Sequence, residues 1–209
     1  MSAPATPGPQ RLTRADGAVA TQLVLDAALK LAYEGGVRHV TVERITQASG
    51  VAKTTIYRRW PNASAVVMEA YLAEIQPMIG YADEGDVVET FRRTVRDVAV
   101  VLSGYRGTLL RQLLGEAQHD GQLQKAFVDR WTQPRREAAR AVLRRAMERG
   151  ELRPDIDIEV TIDAIYGAIY YRMNIPYAAL TADYAERLVT QIFHGLVVRP
   201  DSTPRPAET

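Results

Sequence analysis

The chain contains no cysteine. That absence removes disulfide frameworks, thiolate nucleophiles, iron–sulfur ligation and cysteine-based zinc sites from consideration, and it suits a reducing compartment. Histidine is scarce as well, occurring only at positions 39, 119 and 194. No pair shows the i, i+3 or i, i+4 spacing that sets two imidazoles on one helical face, so neither a metal nor a cofactor is expected. No run approaches the roughly 18 consecutive apolar residues of a membrane span. The N-terminal stretch MSAPATPGPQRLTR carries its arginines after a Pro/Ala/Thr segment and lacks the apolar core of a secretory leader. A cytoplasmic protein without membrane contact is the expectation.

What remains is an ordinary mixture: 209 residues, 46% hydrophobic and 24% charged, enough for one large domain or two small ones. The net charge of +1 hides an asymmetry. Residues 11–60 hold eight Lys/Arg against four Asp/Glu, a local charge of +4, and the rest of the chain carries 18 against 21, or −3. A basic first quarter on a mildly acidic body is what a chain shows when one end meets a polyanion.

Helical periodicity dominates, and no segment shows sustained alternation bounded by hairpin turns. Residues 1–17 and 199–209 are rich in Pro, Ala, Gly and Thr without periodicity and read as a disordered arm and tail. A first helix is expected over 19–34, with Leu23, Ala27 and Leu31 beside Val24 and Ala28 as its apolar stripe and Gly35-Gly36 as its stop. Thr41 is a good N-cap for a second, short helix through position 48, with Glu43 in its first turn and Ile45 and Ala48 facing inward. Gly50 breaks that helix, and a third follows in AKTTIYRRW until Pro61 ends it. Longer helices are expected over 63–79, 87–102, 108–118, 123–149, 158–174 and 182–197, with Pro134 kinking or dividing the fourth of them. The fold class is therefore all-α: three short helices followed by a bundle of about six longer ones.

Two short helices joined through a glycine turn, with a preceding helix to pack against, form a helix-turn-helix pattern. In KTTIYRRW, Ile56 and Trp60 stand at i and i+4 and can anchor one face, which turns Lys53, Thr54, Tyr57 and Arg58 outward. Arg58 can bond guanine O6 and N7 in parallel, Lys53 can donate to the same acceptors, and the Thr54 methyl can meet a thymine methyl. Thr55, Tyr57, Arg59 and Thr41 suit phosphates, which set register without reading sequence. A plain solvated face would explain the same charges; the helix-turn-helix context favours contact with a double-stranded DNA operator.

The segment LAYEGGVRHVTVERITQASGVAKTTIYRRWPNASAV resembles the DNA-binding domain of TetR-family (TetR/AcrR-type) bacterial transcriptional regulators. The positions that carry the likeness are Gly35, Thr41, Ile45, Thr46, Ser49, Gly50, Val51, Tyr57 and Trp60. Three departures stand out. Ala52 replaces the usual Ser, removing a side-chain N-cap worth about 1 kcal/mol. Ala63 replaces a frequent phosphate-contacting Lys, for which Arg59 or an arm arginine is the expected substitute. Thr46 replaces a small apolar residue, where its hydroxyl is expected to bond back into the helix.

The resemblance implies an N-terminal DNA-binding domain at 18–63 and a C-terminal domain at 64–198 that dimerises and binds a small-molecule effector. It implies a repressor that leaves its operator when the effector binds, with the helix beginning at 63 as the lever. The stretch GELRPDIDIEVTIDAIYGAIYYRM resembles one actinobacterial-type version of that second domain. Apolar stripes at Ile158, Ile162, Ile165 and Ile169, and at Leu188, Val189, Ile192, Phe193, Leu196 and Val197, suit a four-helix interface in a homodimer, with ordinary internal packing as the alternative. Two reading heads would then meet half-sites roughly 34 Å apart on a near-palindromic operator.

Candidate pocket residues are Phe91, Tyr105, Leu109, Leu113, Trp131, Tyr166, Tyr170 and Met173, large side chains on helices expected to face the middle of the domain. Glu116, His119 and Asp163 are polar candidates. The run RREAARAVLRRAMER reads as a solvated face. A small-molecule enzyme finds no support, because no Ser-centred elbow, phosphate loop, metal pair or dinucleotide fingerprint is present. A helical protein-interaction adaptor is the other alternative, which salt dependence of duplex binding separates from a DNA-binding regulator.

Overall fold

Residues 14–81 and 85–196 are described by the computed structural model, the side chains of 14–16 excepted, and among them the regular structure is helical, with no β-strand. The chain divides into two units, Met1–Tyr71 and Leu72–Thr209.

In the first unit α1 spans Arg14–Gly35, α2 Val42–Ser49 and α3 Lys53–Tyr57, and α4, Ala63–Ile75, carries the chain across the division. Helix α1 begins at Arg14, so 14–17 belong to a helix rather than to the expected arm. Three alanines between 15 and 20 favour helix, and Gly17 contributes its carbonyl to the Thr21 hydroxyl at 2.8 Å. Residues 1–13 lie outside the described residues. The buried stripe of α1 is Val24, Leu25, Ala28 and Ala32, whereas Leu23 is 47% exposed. Periodicity located a broad apolar arc; the packing of α1 on α2 selects which side of it is buried.

Thr41 caps α2, its hydroxyl accepting from the Arg44 N–H at 3.3 Å. Val42 and Ile45 are buried, and Thr46 and Ser49 flank them, which leaves Ala48 outside the buried arc and exposed, contrary to expectation. The buried Thr46 hydroxyl makes no hydrogen bond among the described residues, so the expected bond back into the helix does not form. Gly50 turns the corner in the left-handed region, at φ 71°, where a Cβ would be strained. Ala52 stands at the N-cap of α3 without a side-chain acceptor, as its residue type dictates.

In the second unit α5 spans Val87–Leu102, α6 Gly104–Ala117, α7 Gly121–Phe127, α8 Gln133–Glu148, α9 Ile158–Asn174 and α10 Ala182–His194. Asp86, Asp120, Asp157 and Thr181 each accept a backbone N–H at the start of their helices. Helix α6 starts four residues before position 108 because Gly104, at φ 68°, makes the whole reversal. Between α7 and α8 the backbone widens into a π-turn, Val128–Thr132. Pro134 has no N–H for the Arg130 carbonyl, and the Gln76 side chain donates to that carbonyl instead, at 3.2 Å. Of the two outcomes expected at Pro134, a kink or a division, the helix is divided, which brings the α-helices among the described residues to ten.

Helix α10 packs along α5, where the rings of Phe91 and Phe193 lie 5.2 Å apart and Tyr81 meets Phe91 at 5.3 Å. Ile162, Ile165, Ile169, Val189 and Phe193 are buried within their own chain. These five residues of the two stripes belong to the core of this unit; burial of such side chains stabilises it by about 1.5–3 kcal/mol each. Ile158, Leu188, Ile192 and Leu196 are half-buried, and Val197 lies outside the described residues, as does the tail. Among the described residues no helix is long and apolar enough to cross a membrane.

Two glycines of α6 differ in kind. A Cβ on Gly107 would lie 1.8 Å from the Leu102 carbonyl oxygen, whereas one on Gly115 would meet nothing within 4 Å. Gly107→Ala is expected to lower the unfolding midpoint in urea, and Gly115→Ala to raise stability by about 0.5–1 kcal/mol. Equal effects of the two substitutions would refute this account of the α5–α6 corner.

Candidate functional site

Five residues make a helix too short to hold its shape unaided. Helix α3 is held because Ile56 is fully buried and Trp60, one turn on, is 5% exposed. The Trp60 indole N–H donates to Glu69 Oε2 at 3.0 Å. With that face fixed, Lys53, Thr54, Tyr57, Arg58 and Arg59 are exposed and Thr55 is half-buried.

These side chains are not equivalent. The Arg58 side chain makes no hydrogen bond or ion pair among the described residues, and the Tyr57 ring is 54% exposed. Lys53 donates to Glu43 Oε1 at 2.5 Å, and the ammonium holds the Glu43 carboxyl below the usual carboxylate range. Arg59 bonds Thr21 Oγ1 at 2.7 Å and Glu69 Oε1 at 2.8 Å, with its guanidinium 4.9 Å from the Trp60 ring centre. It braces the end of α3 against α1 and α4, a role that sequence reasoning did not foresee. Thr41 is exposed, and its hydroxyl is engaged in capping α2.

The pocket candidates separate into groups. Trp131, Tyr166 and Tyr170 converge on a cavity of about 300 Å³ that Thr132, Ile162 and Gly167 also line, with Arg136 and Asp163 as its charged lining. Met173 instead lines a second cleft, of about 370 Å³, with Arg111, Arg172 and Thr108. Phe91, Leu109 and Leu113 are core, and Tyr105 is 57% exposed beside Arg106. Of the polar candidates, Asp163 pairs with Arg136, His119 is exposed and Glu116 is half-buried.

Two arginines of the supposed solvated run, Arg135 and Arg145, bury their Nε and depart from it. Arg136 and Arg140 pair with Glu159, Asp163 and Glu137 as expected of such a face. Arg135 turns inward, with its guanidinium carbon 3.2 Å from the Trp131 ring centre and its Nε buried without a partner. The signal was available in the spacing, since Arg135 lies four residues after Trp131 and four before Ala139, on the buried stripe of α8. Around it burial pushes the hydroxyls of Tyr81, Tyr166 and Tyr170 above the usual phenol range. Tyr81 and Tyr166 share a hydrogen bond, and Tyr170 accepts from the Trp131 indole at 2.7 Å.

Known proteins match over the same two regions. Residues 24–70 match the model of the family described as bacterial regulatory proteins, tetR family, and residues 81–192 match that of the tetracyclin repressor-like C-terminal domain. Over 173 residues the chain is 36% identical to an uncharacterized HTH-type transcriptional regulator, YdeS, of Bacillus subtilis (strain 168), covering 83% of this chain and 87% of that one. The crystal structure of TetR family transcription regulator SCO0332 aligns with a TM-score of 0.73 at 33% identity, over 87% of this chain and 99% of that one. Transcriptional regulator FadR from Bacillus subtilis, solved in complex with stearoyl-CoA, aligns with a TM-score of 0.67 over 83% and 98%. At 15% identity that likeness is one of fold alone.

The ion-paired Glu159 of α9 titrates at low pH. Hydrogen bonds from Arg140 and Arg136 hold the Glu159 carboxyl at about 2 against an ordinary 4.5. A carboxyl depressed in the folded state contributes stability that is complete above its unfolded value and is lost as pH falls through its folded one. Thermal midpoints measured downward from neutral pH should therefore show a loss between about 4.5 and about 2 that Glu159→Gln reduces. Identical acid limbs for the two proteins would show that the cluster contributes nothing.

Proposed function

The chain belongs to the TetR family of bacterial regulatory proteins, and from that premise we propose that it represses transcription as a homodimer on a near-palindromic operator and leaves that operator when a small molecule occupies its second domain. As a family member it is a DNA-binding transcriptional regulator and not an enzyme. We assign DNA contact to residues 18–63, and effector and dimer contacts to 64–198.

The observation that carries this reading is the outward face of α3, where Lys53, Thr54, Tyr57 and Arg58 are exposed while Ile56 and Trp60 are buried. Arg58, whose side chain has no partner among the described residues, is the principal base reader, with Lys53 and Thr54 beside it. Thr41, Thr55, Tyr57 and Arg59 take phosphates. Because Arg59 also braces α3, its loss would act on the helix as well as on the contact.

One small head reads too few bases to be specific, so a second copy is required. The buried part of the α9 and α10 stripes serves the core, and the outer side of α9 is a surface open to a partner. Val160 and Tyr171, 62% and 56% exposed, continue there through exposed Ala164 and Gly167, at spacings of four, three and four. That is a helical stripe with small residues at its centre, which lets two helices approach closely. The effector's place is the cavity lined by Trp131, Tyr166 and Tyr170. Release requires the effector to favour a conformation in which the two α3 helices no longer match their half-sites. Helix α4, which crosses from one unit to the other, transmits the change.

A nuclease footprint on DNA from upstream of the chain's own gene tests the reading. Two protected half-sites, their centres about one or two helical turns apart, are expected, and a single unpaired block would exclude the dimer. Arg58→Ala should weaken operator affinity by about 1–3 kcal/mol and relax the preference at one base position. Glu43→Gln should act in the opposite direction, tightening duplex binding, because it frees Lys53 and removes a negative charge facing phosphates. Titration of the two variants on matched and scrambled duplexes decides both; unchanged affinities would remove Arg58 and Lys53 from the interface.

A further inference from the structure

Arg135 is half-buried on the stripe of α8 with its Nε shut off from water, and a guanidinium partly withdrawn from water favours an anion as partner. Arg135 has none among the described residues. The contrast lies within its own helix, where the equally half-buried Arg136 contacts two carboxylates, Glu159 and Asp163, and Arg140 contacts Glu159 and Glu137. Arg135 instead has the Trp131 ring against its guanidinium and an Nε that donates to nothing. The ionisable groups that act on it are three phenols, those of Tyr170, Tyr166 and Tyr81. Burial keeps all three protonated at neutral pH, so none serves as counter-ion.

The same side chains bound the cavity. Trp131, Tyr166 and Tyr170 belong at once to its wall and to the surroundings of Arg135. Ile162, Gly167, Thr132 and the paired Arg136 and Asp163 complete a space of about 300 Å³, at the small end of the range for small-molecule sites. Hydroxyl donors, a guanidinium without an anion and an aromatic-walled space converge on one chemistry.

We propose that the effector is a small organic acid, with an aromatic or otherwise apolar body in the cavity between Trp131, Ile162 and Tyr170 and a carboxylate that serves as the counter-ion of Arg135. The Tyr166 hydroxyl, now bonded to that of Tyr81, turns to donate to the carboxylate, so that entry of the acid breaks the Tyr81–Tyr166 link. This inference rests on the effector reading of the second domain, and it adds the charge and the class of the molecule.

The test uses the full chain without DNA. Benzoate, phenylacetate and 3-phenylpropionate, each beside its primary amide, are titrated by calorimetry. At least one acid should bind, and more tightly than its amide by about tenfold or more, the scale of a charge-assisted hydrogen bond. Arg135→Gln should abolish that preference, and Arg144→Gln, which removes an exposed charge from the same helix, should retain it. Should Arg135→Gln fail to fold, as thermal unfolding would reveal, the comparison of acid with amide on the unaltered chain still decides. Acids that bind no better than amides, or a preference that survives Arg135→Gln, overturn the proposal. Operator release is scored separately: acids that bind but leave the operator complex intact support the site and contradict ligand-driven release, and a chain that ignores DNA but prefers acids contradicts only the functional reading.

Discussion

Everything the first unit offers to a partner depends on the burial of two side chains one helical turn apart. Ile56 and Trp60 fix which way a five-residue helix faces, and without them α3 would neither persist nor present a defined surface. The surrounding contacts reinforce that choice. Glu69 accepts from the Trp60 indole and from Arg59, and Gly50 supplies the left-handed turn that brings α3 back against α2. The missing N-cap at Ala52 is consistent with a helix whose order comes from tertiary packing and whose free N–H groups remain open to a phosphate.

The second unit uses the opposite device. Its longer helices bury continuous stripes, so that α5 and α10 meet mainly through apolar contact beside the exposed Arg96–Glu186 pair, while buried polar groups gather around α8 and α9. Three tyrosine hydroxyls, an indole and a guanidinium lie there together, partly satisfying one another. Such groups contribute less to stability than an apolar replacement would, and their retention beside a cavity is the arrangement expected where stability is traded for recognition.

Much of this was legible before any coordinates. The bounds of α5 and α9 coincide with the periodic segments because Asp86 and Asp157 precede them as caps and because their stripes are wide. Thr41, Gly50, Ile56 and Trp60 were readable for the same local reasons. What failed was non-local. Whether Leu23 or Leu25 faces the core of α1 depends on where α2 lies, and the stripes of α9 and α10 suit an internal partner as well as an external one. The π-turn before Pro134 and the inward turn of Arg135 needed the third dimension, although an arginine on an apolar stripe was a signal that could have been weighed. The candidate pocket was legible in part: Trp131, Tyr166 and Tyr170 meet, whereas Phe91, Leu109 and Leu113 are core and Tyr105 faces water.

The central claim is that the α3 surface enters a duplex under electrostatic attraction and reads it. An anisotropy titration with DNA from immediately upstream of the chain's own gene, repeated across salt concentrations beside a scrambled duplex, tests it most directly. The account predicts tight binding that falls steeply and linearly in log–log form as salt rises, and a preference for the native duplex that persists along the series. Affinity indifferent to salt, or equal for both duplexes at every salt concentration, would contradict it.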